Sequence, residues 1–263
     1  MCLGERENRG GARAIGFCLH RSSVNLVLFR SDEERRTLLR DDRRFQHLVS
    51  VLRIVPGDRV AVGIVGGAVT SARVTTVEPE RIVLDWDGDD SPAQPLLPLT
   101  VVVGHPRPIV LRRLVKDLAT LGVSRILVFR GELSEKSYLE SSIWSDGSLD
   151  EALLLGAEQA GTTVFPSVSR LWSLERAIAA VSGDSVVVFS PDGPARPRDV
   201  LAELRGSSEV AVVLGPERGF SEKEENLIAR TRCTRVRMGE RTIRTETACL
   251  LAVGAVATAT GWW

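Results

Sequence analysis

The sequence has no excess of charge of either sign, since Lys+Arg and Asp+Glu are both 34. A surface that binds nucleic acid would therefore have to be a local patch, because the protein as a whole has no basic field. Lysine is nearly absent, so arginine carries almost all the positive charge. Two explanations stay open: the bias reflects genome composition, or it suits bidentate contacts to phosphate.

Cysteine and histidine are also scarce. The four cysteines form no C-x-x-C pair, and the three histidines are scattered along the chain. This spacing argues against a zinc site and against a disulfide framework. We therefore expect no bound metal, and free thiols in a reducing compartment.

Long apolar runs are missing as well. The longest, over residues 250–263, is interrupted by glycine and threonine and is too short to span a bilayer. Residues 1–22 are charged and glycine-rich, without an apolar signal core, and are expected to form a flexible N-terminal extension. Together these features predict a cytoplasmic protein with no membrane segment.

Closely spaced β patterns follow that extension. Strands are expected at 24–29, 59–65, 68–77 and 81–86, with Gly66-Gly67 as a two-residue hairpin turn. Residues 32–52 between the first two strands are expected to be mainly helical. This rhythm predicts a small antiparallel barrel over residues 23–95, with the acidic and proline-rich run 85–98 as a linker.

Strands alternate with helices from residue 96 to residue 263, which predicts a mostly parallel sheet covered on both faces. Two capping-box patterns are expected to open helices at Ser148 and at Ser221. Gly122 and Gly161 stand where helix C-caps belong. The last strand is expected at 234–238 and the last helix at 245–260. That helix is rich in small residues, so we expect it to pack against a second subunit.

Two segments near the C-terminus combine an apolar strand, a glycine-containing loop and a helix start. They are 210–225 and 238–248. In parallel sheets, small ligands bind at the carboxyl ends of strands. Neither loop is a G-x-G-x-x-G or a Walker A sequence, so a dinucleotide fold and ATP hydrolysis are not indicated. The pair predicts an unusual cofactor site, although each loop alone could be an ordinary strand-to-helix turn.

The order of several short motifs resembles one known family. They are His47-Leu-Val-Ser-Val-Leu-Arg53 before Gly57-Asp58, Leu121-Gly122-Val123, Ser134-Glu-Lys-Ser137, Glu158-Gln159, Gly215-Pro-Glu-Arg-Gly219 and the run 239–248. The chain resembles the RsmE-type bacterial ribosomal RNA uridine-N3 methyltransferases of the SPOUT superfamily. The resemblance covers nearly the whole sequence from Val24.

The resemblance implies an α/β fold with two parts. Residues 23–95 would form a PUA-like RNA-recognition β-barrel, and residues 96–263 would form a SPOUT methyltransferase domain with a trefoil knot. It also implies S-adenosylmethionine as cofactor, a homodimer, and methylation of N3 of a uridine in 16S ribosomal RNA of the small subunit. S-adenosylmethionine carries no phosphate, so a bent pocket of backbone groups at the two loops would serve.

The cofactor-binding candidates come from the two loops. They are Leu214, Gly215, Pro216, Glu217, Gly219, Met238, Gly239, Ile243, Arg244, Thr245, Thr247 and Ala248. Leu214, Met238 and Ile243 would line the apolar side, and Gly215 and Gly219 would allow positive φ and close backbone approach. Thr245 and Thr247 have a second interpretation as caps of the last helix.

Two of these residues are catalytic candidates. Arg244 could stabilise negative charge that develops on the uracil oxygens, because N3 must lose a proton. A structural ion pair of Arg244 with Glu217 or Glu246 is the other interpretation. Glu217 could orient a loop through backbone N–H groups or accept a proton, and we favour the structural role.

Arginines cluster in the first part of the chain, and a basic patch there would contact RNA phosphates. A solvated helix face with internal salt bridges is the default interpretation. The RNA-binding candidates are Arg35, Arg36, Arg40, Arg43, Arg44 and Arg53.

Four positions depart from the family pattern, and one of them is Lys136, which stands where arginine is common. Arg218 stands where glycine is typical, so either the loop is reshaped or the φ of Arg218 is negative, since a side chain at positive φ costs roughly 1–2 kcal/mol. Thr120 replaces a glutamate, and Thr162 replaces an arginine. These departures keep two alternatives open: a non-catalytic RNA-binding or ribosome-assembly factor with the same fold, or a methyltransferase for another RNA or a small molecule.

Overall fold

The computed structural model describes residues 26–88 and 91–263. The expected extension over residues 1–22 lies outside the described residues. Residues 26–88 form a half-barrel sheet with one short helix. Its elements are β1 (Leu26–Phe29), β2 (Thr37–Leu39), α1 (Arg43–Ser50), β3 (Arg59–Ile64), β4 (Val69–Val77) and β5 (Arg81–Trp86).

The strand order of this sheet is β1-β3-β4-β5-β2. β1 and β3 pair in parallel, whereas the other neighbours are antiparallel. The described strands therefore form an open half-barrel with β1 and β2 at its edges. The two-residue turn expected at Gly66-Gly67 was wrong by one residue and in length: the Gly67 N–H donates to the Ile64 carbonyl at 2.8 Å, so Val65 and Gly66 are the central residues of the turn, and residues 65–68 connect β3 to β4.

The prediction of a mainly helical segment over residues 32–52 was wrong. Only Arg43–Ser50 is helical, and Thr37–Leu39 pairs with β5 instead. Leu38 is the buried residue of this strand. The residues before it are polar, so the sequence shows no alternation of apolar and polar residues that would indicate a strand. Asp42 ends the non-helical stretch, since its side chain accepts a hydrogen bond from the Arg44 N–H as the N-cap of α1.

The second part of the chain alternates strands and helices as expected. Its elements are β6 (Leu97–Gly104), α2 (Pro108–Leu121), β7 (Val123–Phe129), α3 (Lys136–Leu139), α4 (Ser148–Ala160), β8 (Ser167–Leu171), α5 (Leu174–Ala179), β9 (Ser185–Phe189), α6 (Pro197–Val200), β10 (Val210–Leu214), α7 (Glu222–Arg230), β11 (Thr234–Val236) and α8 (Thr245–Thr260), with 3₁₀ turns at Ser142–Trp144 and Leu201–Leu204.

These strands form one six-stranded sheet in the order β11-β9-β10-β6-β7-β8, with every pair parallel. The central strands are continuous apolar runs because both faces are covered. Helices α2, α4 and α8 bury one face, and α5 and α7 bury the other. The prediction of a covered parallel sheet is confirmed.

Strand β6 begins at Leu97, inside the run expected to be a linker. Pro98 is tolerated in this central strand because the register with β7 shifts between Leu97 and Thr100. The expected boundary at residues 95 and 96 falls between the two sheets, and the division into folding domains stays a prediction.

The helix-end signals of α2 and α7 and the C-terminal signal of α4 are confirmed, and the N-terminal signal of α4 is not. The capping box at Ser221 forms, and Gly122 and Gly161 cap α2 and α4 in the left-handed conformation. The capping box at Ser148 was wrong, since Gly147 is the N-cap of α4 and makes no side-chain cap. Asp146 accepts a hydrogen bond from the Ser148 N–H at 2.8 Å instead, so the acidic residue before the serine supplies the bond.

The two sheets meet at the start of the first strand and the end of α4. Leu26 and Leu28 bury their side chains against Ala157. Glu158 on α4 accepts two hydrogen bonds from the Arg43 guanidinium, at 2.8 and 3.0 Å, and one from the Leu28 N–H at 3.3 Å. One carboxylate therefore ties together a strand and a helix of the first region and a helix of the second.

We expect Arg43→Ala to lower the free energy of unfolding by about 1–3 kcal/mol, because it leaves the mostly buried Glu158 carboxylate without its charged partner. Urea denaturation measures this change. Arg40→Ala is the matched control, since Arg40 pairs with Glu80 at 2.9 Å on the exposed surface, where an ion pair contributes within about 0.5 kcal/mol. Equal changes in the two variants would contradict the argument.

Candidate functional site

A cavity of about 370 Å³ opens at the carboxyl ends of three neighbouring strands, β11, β9 and β10. Its lining comes from the loops that follow these strands and from the first turn of α8. The strand order reverses here, because the chain leaves β8 at one edge, crosses to β9, and returns to the middle as β10. Ligands of open α/β sheets bind at such switch points.

Most of the predicted cofactor residues lie together at this cavity. The lining residues among them are Leu214, Gly215, Pro216, Glu217, Gly219, Met238, Gly239, Ile243, Thr245 and Ala248. Arg244 and Thr247, which belong to the same prediction, do not line it and have exposed side chains.

A third loop, which the sequence analysis missed, completes the wall. Ser190, Pro191 and Asp192 follow β9 and line the cavity. The signal was present, since β9 is also an apolar strand that runs into a polar, glycine-containing loop. It was overlooked because no regular helix starts immediately after it.

The loop after β10 lies directly against the end of β6. A Cβ atom added at Gly104 would stand 2.3 Å from the Pro216 nitrogen, closer than real Cβ atoms approach any neighbour. The absent side chain of Gly104 is therefore what allows the Gly215–Gly219 loop to reach its position. This close approach fixes one wall of the cavity.

The glycine roles differ from the expectation in one respect. Gly219 and Gly239 have positive φ, at 75° and 130°, but Gly215 does not. A Cβ at Gly215 would meet only ordinary contacts, at 3.4 Å. Among the described residues, Arg53 alone is a non-glycine residue with positive φ. Arg218 therefore has negative φ, and the loop accommodates its side chain without the backbone strain considered above.

An arginine from β11 organises the acidic side of the cavity. The Arg235 guanidinium lies 2.9 Å from Glu225 and 3.3 Å from Asp192, and donates to the Ser190 hydroxyl at 3.3 Å. The hydrogen bond from Ser190 lowers the pKa of Asp192, with Arg235 adding to the effect. The two carboxylates outnumber their shared guanidinium, so this wall favours a cationic group.

Helix α8 starts at the cavity without a threonine cap. Arg244 is the N-cap residue and makes no side-chain cap, so the capping role suggested for Thr245 and Thr247 was wrong. The Thr245 hydroxyl donates instead to the Gly215 carbonyl at 3.4 Å and joins the two loops. The Arg244 side chain is 87% exposed, with the Glu246 carboxylate 4.0 Å away.

Glu217 contacts the start of α2. Its Oε1 accepts a hydrogen bond from the Arg107 N–H at 3.2 Å, and Arg107 is the N-cap residue of α2. A carboxylate at a helix N-terminus is favoured by the helix dipole. A contact of this kind is expected if Glu217 orients the loop after β10.

The predicted RNA-binding arginines divide into three groups by exposure and pairing. Arg44 is only 14% exposed and pairs with Asp42 and Glu33, so it is part of a structural ion network. Arg43 and Arg40 are exposed but pair with Glu158 and Glu80. Arg35, Arg36 and Arg53 are exposed on the same region. Three of the six candidates therefore make the ion pairs of the default interpretation, and RNA binding by the six stays a prediction.

The two threonines that depart from the family pattern make local structural bonds. The Thr120 hydroxyl lies 3.0 Å from the Lys116 carbonyl and 3.2 Å from the Gly156 carbonyl, where α2 crosses α4. The buried Thr162 hydroxyl accepts a hydrogen bond from the Val164 N–H at 3.3 Å. Both threonines therefore contribute hydrogen bonds within the second region of the fold.

Metal and membrane features are limited in the part of the chain that the structure describes. Within residues 26–88 and 91–263, no group of three or more histidine, cysteine or acidic side chains could hold a metal ion. Cys233 and Cys249 are free thiols. No helix of these residues combines the length and the apolar character needed to cross a bilayer.

Known proteins resemble the chain over most of its length. Residues 92–257 match the RNA methyltransferase domain family. A ribosomal RNA small subunit methyltransferase E of Treponema pallidum is 33% identical over 254 residues, covering 91% of this chain and 93% of that protein. Ribosomal RNA small subunit methyltransferase E 1 of Borreliella burgdorferi is 28% identical over 232 residues, covering 87% and 95%.

Solved structures share the fold. The crystal structure of a ribosomal RNA small subunit methyltransferase E from Neisseria gonorrhoeae, bound to S-adenosyl methionine, superposes with a TM-score of 0.66 at 23% identity. The match covers 88% of this chain and 96% of that one. The arrangement of both sheets is therefore common to the two proteins.

We expect Gly104→Ala to lower the free energy of unfolding by about 3 kcal/mol, because the new methyl group must displace the Pro216 backbone. Gly183→Ala is the matched control, since a Cβ there meets nothing within 4 Å. Urea denaturation of both variants measures the difference. A similar small change in both would show that the loop after β10 moves away from β6 at little cost.

Proposed function

The chain belongs to the RNA methyltransferase family and, within it, to the small-subunit ribosomal RNA methyltransferases of type E, and on this basis we propose that it methylates N3 of a uridine in 16S ribosomal RNA with S-adenosylmethionine as the methyl donor. The observation that carries the proposal is the cavity at the ends of β9, β10 and β11, which collects ten of the twelve predicted cofactor residues. Such a substrate places the reaction in the cytoplasm, where ribosomal subunits assemble.

The cavity fits this cofactor in size and chemistry. Its volume of about 370 Å³ is within the usual range for small-molecule sites, roughly 300–1,000 Å³. Leu214, Met238 and Ile243 provide an apolar wall for adenine. The Asp192 and Glu225 carboxylates also line the cavity, and they suit the positive charges of a sulfonium and an ammonium group. When bound, S-adenosylmethionine supplies an electrophilic methyl group.

Arg244 is the proposed group on the uracil side of the reaction. Its guanidinium is exposed next to the cavity, so it can donate hydrogen bonds to the uracil oxygens while N3 loses its proton. Glu217 holds the loop after β10 to the start of α2, which supports a positioning role. Proton acceptance by Glu217 is the second possibility, and its exposure is compatible with it.

The knot and the RNA-recognition barrel are part of the same proposal. The end of β11 and the residue that follows it pack against the loop after β9, since the Ser190 N–H donates to the Val236 carbonyl at 3.0 Å and the Arg237 N–H donates to the Ala195 carbonyl at 2.8 Å. A Cβ at Gly193 would stand 2.4 Å from the Val236 carbonyl carbon. This close packing of the two segments supports the proposal of a SPOUT-type trefoil knot. The half-barrel of residues 26–88, with exposed Arg35, Arg36 and Arg53, supports a PUA-like RNA-binding role.

We expect the purified protein to form 3-methyluridine in small ribosomal subunits taken from a strain that lacks this gene, when S-adenosylmethionine is added. Nucleoside mass spectrometry measures the product. Arg244→Ala should lower kcat by about 100-fold and change the affinity for the cofactor by less than twofold, because Arg244 does not line the cavity. Calorimetric titration measures that affinity.

Arg205→Ala is the control for removal of an exposed arginine. It should leave kcat and the affinity for S-adenosylmethionine unchanged. Wild-type protein that binds the cofactor but leaves 16S RNA unmodified would refute the proposed target. An equal loss of turnover and cofactor affinity in Arg244→Ala would remove Arg244 from the chemistry.

We propose a homodimer because the apolar side chains of Ile109 and Leu251 are exposed. They lie on α2 and α8, which contact each other, so both belong to one side of the sheet. We expect light scattering to give twice the chain mass of 28.7 kDa. Leu251→Asp should shift the mass to the monomer, because a charge is costly in an apolar interface. Leu39→Asp changes a similarly exposed leucine in β2 and should leave the mass at that of the dimer. A wild-type protein that is monomeric at micromolar concentration would overturn the proposal.

A further inference from the structure

A second, larger groove of about 980 Å³ lies beside the cofactor cavity. Arg130, Trp172, Ser173 and Ser221 are among its lining residues. The segment 219–225 separates the two, since Gly219, Phe220 and Glu225 face the smaller cavity and residues 221–224 face the groove. Whatever occupies the groove therefore lies one short segment away from the proposed reaction site.

Trp172 projects into this groove from the end of β8 and is 54% exposed. The Arg170 guanidinium lies 5.3 Å from the centre of the Trp172 ring and 5.6 Å from that of Trp144. A hydrogen bond of 2.8 Å from Arg170 to the Leu139 carbonyl fixes this position. The two indoles and the guanidinium thus form an aromatic–arginine ladder, which is held in place before any ligand binds.

The inner end of the ladder is anchored in the core. The Trp144 indole N–H donates to Nε2 of the buried His105 at 3.0 Å, and Nδ1 of His105 donates to the Pro106 carbonyl at 2.6 Å. Burial lowers the pKa of His105, so the ring stays neutral and can accept the indole hydrogen bond. His105 directly follows Gly104, the residue against which the loop after β10 packs.

The charge of the groove favours stacking over phosphate binding. Three basic and four acidic residues line it, so it offers no positive field. Among the acidic residues, Glu132 is already paired with Lys223 at 3.0 Å. An exposed indole backed by a guanidinium is instead the usual platform for an unpaired nucleobase, whose flat face it covers regardless of sequence.

We propose that Trp172, supported by Arg170, stacks an unpaired nucleobase of the RNA substrate in the groove next to the methylation site. The inference rests on the proposed function, because RNA methylation requires the target nucleotide to leave its stack. A platform for a neighbouring base would hold the RNA strand open at that point. It would add to the RNA affinity of the exposed Arg35, Arg36 and Arg53 in residues 26–88.

Trp172→Ala is expected to weaken binding of a single-stranded oligouridine and to raise KM for small ribosomal subunits, each about tenfold. Trp172→Phe should recover most of the loss, since a phenyl ring still stacks. Affinity for S-adenosylmethionine should not change. The ratio of wild-type to variant affinity should also be constant between about 50 and 200 mM salt, because stacking releases no counterions.

Trp263→Ala is the matched control, since it removes an indole that is 57% exposed at the end of α8. If Trp172→Ala binds RNA as tightly as Trp263→Ala while the wild type methylates its substrate, the stacking proposal falls and the proposed function stands. If the wild type transfers no methyl group but Trp172→Ala still weakens oligouridine binding, the stacking site stands and the proposed function falls. If the wild type binds no RNA, both fall.

Discussion

The close approach of the β10 loop to the end of β6 is the contact on which the rest of the site depends. Gly104 has no side chain, and Pro216 occupies the space that a Cβ would need. This contact brings Glu217 within hydrogen-bonding distance of the start of α2, and it places Gly215 where the Thr245 hydroxyl can reach its carbonyl. Three loops then converge on one cavity because their parallel strands are neighbours in the sheet.

The link between the two sheets depends on arginines that the sequence pattern suggests as RNA-binding residues. Arg43 bridges the sheets through Glu158, and Arg44 is enclosed by two carboxylates and the face of the Phe29 ring, 4.6 Å from its centroid. Guanidinium groups serve such partly buried pairs well because they form several directed hydrogen bonds at once. The first region is therefore fixed relative to the cofactor cavity by the same residue type that would otherwise contact phosphate.

Much of the fold could be predicted from local pattern. The apolar runs of β6, β9 and β10 predict buried parallel strands, and α8 has the predicted bounds. The failures have physical causes. The strand Thr37–Leu39 exists because the free edge of β5 pairs with it, and this partner lies more than forty residues away. The loop after β9 joins the cavity because β9 inserts between β10 and β11, which no local pattern encodes.

The sequence by itself determined which residues form the two loops after β10 and β11, because strand, glycine and capping signals are local properties of consecutive residues. Only the tertiary structure decided which arginines pair with carboxylates and which glycine is required by close packing. It also decided where Trp172 lies relative to Arg170 and to the cavity at the ends of β9, β10 and β11. Arg218 illustrates the difference: its sequence position left two backbone conformations open, and the folded loop adopts negative φ and places the left-handed conformation at Gly219. Such choices depend on atoms brought together from distant parts of the chain, and their energies are set by packing and pairing rather than by local sequence preference.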